Sequence, residues 1–190
     1  MAERDGLTDQ ARKREEDYFR KRDRELIERM RAAAAAEQTR RDLQAKTGFK
    51  DPALLHDLEE LGFTPETITL LPLIPILQVA WAEGGVSDAE RRLILEFARA
   101  RNIAAGSDAD RQLTEWLEQR PSDQVFAKAM RLVGAMLDNP GDVPAQVSAT
   151  ELIAASEKIA AASGGILGIG RISATERAAL EQIANALKRK

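Results

Sequence analysis

The chain has 190 residues, of which 44% are hydrophobic and 31% charged, with a formal net charge of −3 at pH 7. A chain of this length and composition fits one compact domain with an additional segment. Its net negative charge provides no overall positive potential to bind a nucleic-acid backbone. The absence of cysteine excludes disulfides, thiolate zinc sites and cysteine nucleophiles, and the single histidine leaves no imidazole pair for catalysis or metal binding. The composition therefore predicts a non-enzymatic protein without a cofactor.

The first ten residues carry three acids and no apolar core, so they predict no secretory signal. The most apolar stretch, 70–82, contains Pro72 and Pro75 and is shorter than the roughly 20 residues that cross a bilayer. We therefore expect a cytoplasmic protein without membrane insertion, in which this stretch forms a buried core helix.

The N-terminal quarter is dense in charge, with 13 Lys/Arg and 11 Asp/Glu in residues 1–46. Residues 9–46 contain no Gly or Pro and include five consecutive alanines, a composition that favours one continuous helix. At 1.5 Å per residue this helix would be roughly 57 Å long, more than the diameter of a small domain, so it is predicted to project. We divide the chain into a charged, partner-binding helix at 1–48 and a helical bundle at 49–190.

After Gly48 the segments begin with residues typical of helix N-termini. Asp51 precedes Pro52, and Ser87 precedes Glu90 at the spacing of a capping box, in which serine and glutamate satisfy each other's backbone N–H groups. The same devices are predicted at Ser122, at Ser148 with Glu151, and at Ser173 with Glu176. Helices are predicted at 52–61, 66–83, 88–103, 108–119, 122–138, 149–163 and 174–189. No segment alternates as a strand would, so the predicted class is all-α, with about seven helices after the first.

The sequence of residues 85–91 is similar to that of residues 171–177. One interpretation is an internal repeat of two equivalent helical hairpins. The other is that both segments are helix caps, which have similar sequences in many proteins. Residues 73–91 run from an apolar helix through Glu83-Gly84-Gly85 to Ser87 and a helix rich in Glu and Arg. This segment resembles the TerB-like (tellurite-resistance-type) helical domain, and the likeness covers about 64–189. The resemblance implies the same helical fold.

In that family the acid of the turn is linked to a metal site. The resemblance therefore implies an alternative function, a metal-linked or stress-response interaction module with an acidic turn at Glu83, Asp88 and Glu90. Against it, Glu83 replaces the family's Asp, and Ile169 occupies the matching position in the second half. Asp88 and Glu90 are also explained as first-turn acids of a helix, where the helix dipole favours negative charge. We predict no metal ligand.

Residues 12–31 resemble the inhibitory helix of the mitochondrial ATP synthase inhibitor protein. The match has no gaps, and the residues that fall in register are Glu16, Tyr18, Phe19, Arg20, Arg22, Glu25, Ile27 and Met30. In that family the helix inserts between subunits of the catalytic head, where the aromatic pair packs in a cleft. The family's histidine-rich dimerising half is absent here.

The resemblance implies a regulatory protein that binds ATP synthase catalytic subunits through these eight residues and inhibits ATP hydrolysis. Adjacent aromatics within a rim of Arg and Glu are also typical of helix-in-groove recognition. The alternative is a solvated helix held by local pairs such as Glu16 with Arg20 and Asp17 with Lys21.

The remaining signals favour structural roles. The glycine-rich segment 164–170 follows a helix and lacks the Lys-Ser/Thr of a phosphate loop, so it predicts a helix end and not a nucleotide site. His56 is predicted at the surface of a short helix. Four aromatic side chains are predicted to pack in the core: Trp81, Phe97, Trp116 and Phe126.

Overall fold

The structure is a computed structural model that describes residues 2–138, 148–163 and 172–188. Side chains are described for residues 15–138, 148–162 and 172–187. Every regular element in these ranges is a helix, which confirms the all-α class and the long first helix followed by a helical bundle. The predicted loops at 139–141 and 164–171 lie outside the described residues.

The elements in chain order are α1 (Ala2–Thr47), α2 (Pro52–Glu60), a 3₁₀ helix (Ile68–Leu73), α3 (Ile74–Ala80), α4 (Asp88–Ala100), α5 (Asp108–Glu118), α6 (Asp123–Asp138), α7 (Ala149–Ser163) and α8 (Ala174–Lys188). The chain divides into two compact units, Met1–Arg41 and Asp42–Lys190.

The first unit consists of most of α1. This helix begins at Ala2 and not at the predicted Asp9, so Gly6 lies inside it. A glycine in a helix costs about 1 kcal/mol relative to alanine, and the strong helix formers on both sides of Gly6 offset that cost. The local preference of the sequence is therefore sufficient for one continuous helix.

The last turn of α1 belongs to the second unit, where it is anchored by burial. Leu43 and Thr47 are fully buried, and Phe49 just beyond the helix is buried as well. The Thr47 hydroxyl donates to the Leu43 carbonyl at 2.7 Å. The helix ends because Gly48 adopts a positive φ of 72°, which allows its N–H to donate to the Gln44 carbonyl.

The centre of the second unit is the segment Ile68 to Ala80. Within α3, Gln78 is half-buried and the other six residues are all buried, as expected of a helix that is apolar on every side. The short helix packs against α4, α6, α7 and α8, and α7 in turn packs against α4 and α8. The core is thus built around α3.

The prediction of one helix at 66–83 is wrong in its form. The structure has a turn at Thr64–Thr67, then the 3₁₀ helix, and then α3. Pro72 lies inside the 3₁₀ helix and Pro75 lies in the first turn of α3. Because proline has no N–H and its ring clashes with the preceding turn, a continuous α-helix through Pro72 is disfavoured.

The predicted helix caps are confirmed. The Asp51 carboxylate accepts the Ala53 N–H at 2.9 Å, and the Ser122 hydroxyl accepts the Val125 N–H at 3.3 Å. The three predicted boxes are formed at Ser87 with Glu90, Ser148 with Glu151, and Ser173 with Glu176. These contacts are local in sequence, and for this reason the helix starts were predictable.

Helix α4 ends at Ala100, three residues before its predicted end. Asn102 has a positive φ of 61°, and the Ile103 N–H donates back to the Ala98 carbonyl. Asparagine adopts the left-handed region more readily than most residues, so it ends the helix as glycine does at other sites. This early end places Arg101 outside α4.

The predicted core aromatics pack as expected. Phe126 is buried, and Trp81, Trp116 and Phe97 are partly buried against the core. The Trp81 indole Nε1–H donates to the Trp116 carbonyl at 2.8 Å, which satisfies its one polar atom.

In the described part of the chain, no helix combines the length and the apolarity needed to cross a bilayer.

We expect the two units to differ in hydrogen exchange. Amides of residues 15–30, whose side chains have few buried contacts, should exchange about a hundredfold faster than those of α3, which open only when the core opens. Exchange of the full-length protein measured by mass spectrometry or NMR tests this. Equally slow exchange at 15–30 would mean that this part of α1 is protected by another surface.

Candidate partner-binding helix

All eight residues of the predicted partner-binding set lie on α1, within the first unit. Its aromatic members are open to solvent, with Tyr18 58% and Phe19 55% exposed. Ile27 and Met30 are also exposed, and so is Leu26, which lies outside the eight. Large exposed apolar side chains occur singly on most surfaces, but this group falls within 13 consecutive positions of one helix.

The exposed apolar residues form a stripe along α1. Each residue advances about 100° around an α-helix, so Phe19, Leu26 and Met30 fall within about 40° of one another. Tyr18 and Ile27 flank this stripe on opposite sides. Leu26 thus belongs to the surface, and its spacing of seven residues from Phe19 is the signal that identifies it.

The two aromatic rings contact each other at the edge of the stripe. Their centroids are 5.9 Å apart with planes at 71°, an edge-to-face arrangement. Aromatic pairs prefer this arrangement because the positive edge of one ring meets the negative face of the other. The contact holds both rings in one cluster, which presents a compact apolar anchor.

Charged side chains surround the apolar stripe. The Arg20 guanidinium pairs with the Glu16 carboxylate at 3.4 Å, which confirms that predicted pair, and Arg24 Nε donates to the Arg20 carbonyl. Exposed pairs of this kind contribute only a few tenths of a kcal/mol. They stabilise the helix but leave the exposure of the apolar stripe unexplained.

The three acids of the turn in the alternative function differ in their exposure. Glu83 and Asp88 are exposed, while Glu90 is 2% exposed and its carboxylate accepts from the Ser87 N–H at 2.8 Å and from the Ser87 hydroxyl at 2.7 Å. In the described ranges, no three His, Asp or Glu side chains are grouped as a metal site requires. The carboxylate of Glu90 acts as a helix cap.

Burial gives Glu90 unusual electrostatics. Its pKa is raised above 4.5, chiefly because burial disfavours the charged form, although its hydrogen bonds to Ser87 act in the opposite direction. The nearby Glu176 and Glu83 carboxylates raise the pKa further. Glu176 caps α8 as Glu90 caps α4, and Glu176 is also buried. The two similar segments, 85–91 and 171–177, therefore occupy similar environments.

The packing also agrees with the proposed repeat. Helix α3 packs against α4, α7 packs against α8, and α3 and α7 pack against each other. The matching position Ile169 and the glycine-rich segment 164–170 lie outside the described residues. His56, predicted at the surface, is exposed on α2 with its Nε2 at 3.9 Å from the Glu60 carboxylate.

Comparison of the chain with protein-family models, curated proteins and solved structures gives no match.

The raised pKa of Glu90 predicts how stability depends on pH. The folded state holds the Glu90 proton more tightly than the unfolded state, so the resulting stability is fully present below about pH 4.5 and is lost as the pH rises through the folded pKa. As the pH rises from 4.5, the free energy of unfolding of the wild type should thus fall relative to that of the Glu90→Gln variant. Urea denaturation at a series of pH values measures this difference.

Glu151→Gln is the matched control. Glu151 is also a capping-box glutamate, but it is exposed, and its hydrogen bonds to Ser148 lower its pKa below 4.5. The stability from its ionised form is present above pH 4.5 and is lost as the pH falls through the folded pKa. The free energy of unfolding of the wild type should therefore rise relative to that of Glu151→Gln as the pH rises. The same sign for both variants would contradict the role of burial at Glu90.

Proposed function

We propose that this protein is a non-enzymatic regulator that binds a protein partner through the apolar stripe and charged rim of α1. The observation that carries the proposal is the exposure of Tyr18 and Phe19, together with Leu26, Ile27 and Met30, on one charged helix. Burial of a Leu, Ile, Met or Phe side chain is worth about 1.5–3 kcal/mol when it is complete. Four such residues, with the ring of Tyr18 beside them, supply enough driving force for a specific complex.

The partner that best fits the pattern is the catalytic head of a rotary ATP synthase. This step rests on the ungapped resemblance of residues 12–31 to the mitochondrial ATP synthase inhibitor protein. The helix would insert between catalytic subunits and restrain ATP hydrolysis. Tyr18 and Phe19 would fill an apolar cleft, with Ile27 and Met30 extending the apolar contact.

The charged residues of the set are suited to selecting the partner. Arg20 and Glu16 already pair on the helix surface, and by the helical spacing they lie on the Ile27 side of the stripe. Arg22 and Glu25 carry opposite charges on the Tyr18 side of the stripe, by the helical spacing of about 100° per residue. Charges at the rim of an interface set register and on-rate more than they add affinity.

The experiment is inhibition of ATP hydrolysis by the full-length protein, measured on a purified catalytic head. Wild-type protein should inhibit at micromolar concentration, and Tyr18→Ala with Phe19→Ala should weaken inhibition at least tenfold because the anchor is lost. Since both side chains are exposed, the double variant should keep the stability of the wild type to within about 0.5 kcal/mol.

The matched control is Lys21→Ala with Glu28→Ala, an exposed pair of opposite charges on the face of the same helix that lies opposite the apolar stripe. It should inhibit as the wild type does. No inhibition by the wild type at micromolar concentration would remove the ATP synthase as partner. Equal loss in both double variants would show that general charge and helicity, and not the aromatic anchor, carry the effect.

A further inference from the structure

A cleft lies between α4 and α7 in the second unit, and it has no role in the function proposed above. Ile76 of α3 forms part of its lining, and Leu93 and Phe97 of α4 face Ala155 and Ile159 of α7 across it. Its volume is about 520 Å³, and apolar atoms make up most of its surface. Clefts of roughly 300–1,000 Å³ with apolar walls and few polar groups are typical of small-molecule sites.

Arg101 lies in this cleft, just beyond the early end of α4. Its guanidinium carbon is 3.4 Å above the centre of the Phe97 ring, so the cation stacks on the aromatic face. Within the described part of the chain, its Nε atom is buried and has no hydrogen-bond partner. A buried donor without an acceptor is costly for the folded state. The same guanidinium lines the cleft, where its remaining N–H groups can donate to an oxygen of a ligand.

The other charges around the cleft limit the ligand to a single negative charge. Lys158 of α7 also lines the cleft, and so do the carboxylates of Glu96 and Glu151. Glu151 is engaged with the Ser148 N–H at 2.8 Å as a helix cap. Two cations and two anions balance, so the lining has no excess positive charge, and the second charge of a phosphate would meet Glu96 and Glu151 without a further cation.

Arginine is better suited than lysine to bind a carboxylate beside an aromatic ring. Its planar guanidinium can stack on Phe97 with one side and present N–H groups at its edge to two oxygens. Burial lowers the pKa of Arg101, and the carboxylate of Glu151 opposes that shift. The side chain remains positively charged at neutral pH.

We propose that the cleft between α4 and α7 binds a small amphipathic carboxylate, with the carboxylate on Arg101 and the apolar body against Phe97, Ala155 and Ile159. The apolar walls supply the affinity, and Arg101 fixes the orientation and rejects neutral or cationic analogues. All the residues that line the cleft belong to the second unit, and the proposal does not depend on the partner of α1.

The test is a titration of the full-length protein with decanoate, followed by calorimetry and by backbone amide shifts in NMR spectra. Binding should saturate, and the shifted amides should be those of the cleft, including Phe97 and Ile159. Decanol and decylamine should bind at least tenfold more weakly, because neither provides an anion for Arg101. Decyl phosphate should bind more weakly than decanoate.

Arg101→Gln should weaken decanoate binding about tenfold or more while affecting decanol little. Arg92→Gln removes an exposed arginine of α4 that does not line the cleft, so it is the control and should bind as the wild type does. Ala155→Leu narrows the cleft without touching Arg101, so it should weaken both decanoate and decanol, and it tests the site even if Arg101→Gln fails to fold.

The proposal is overturned if decanoate shows no saturable binding at millimolar concentration, or if its amide shifts lie outside the cleft. It is also overturned if decanol or decylamine binds as tightly as decanoate. Unchanged affinity in a folded Arg101→Gln variant, or in Ala155→Leu, would have the same consequence. Tighter binding of decyl phosphate would overturn the charge argument.

Discussion

The second unit depends on the burial of one apolar segment, residues 68–80. A helix such as α3 that is apolar on nearly every side is stable in water only when other helices surround it. Helices α4, α6, α7 and α8 meet this requirement, and each contributes one apolar face. Because α4 and α7 both pack on α3, the space between them becomes a cleft that contains Phe97 and Arg101. The central segment therefore determines the architecture and also creates the pocket.

The first unit is stabilised by local helix preference and not by burial. Helix α1 has strong helix formers along its length, and local pairs such as Glu16 with Arg20 add a little stability. Its side chains from residue 15 to 38 are exposed or, at Glu25, half-buried. The stripe that contains Phe19, Leu26 and Met30 does not contribute to a core in this unit, and its side chains are exposed to solvent. For this reason we propose recognition of a partner by α1 and binding of a small molecule by the bundle.

One motif has different consequences at different positions. Glu90, Glu151 and Glu176 all close capping boxes with a serine three residues earlier. Glu151 is exposed and its pKa is lowered by its hydrogen bonds, whereas burial raises the pKa of Glu90. The local geometry is the same, and the surrounding packing reverses the sign of the shift. This also bears on the acidic turn, because the carboxylate of Glu90 is already used within the helix cap.

The sequence by itself determined the all-α class, the long first helix and nearly every helix start, because caps such as Asp51 and Ser87 act over two or three residues. It also indicated the candidate stripe of α1, whose residues share one helix. The division of 66–83 and the early end of α4 have local signals in Pro72 and Asn102. The burial of Glu90, the stacking of Arg101 on Phe97 and the cleft between α4 and α7 were decided only by the tertiary structure. Their physical reason is that they depend on packing between segments that are distant in the sequence, which local preferences do not specify.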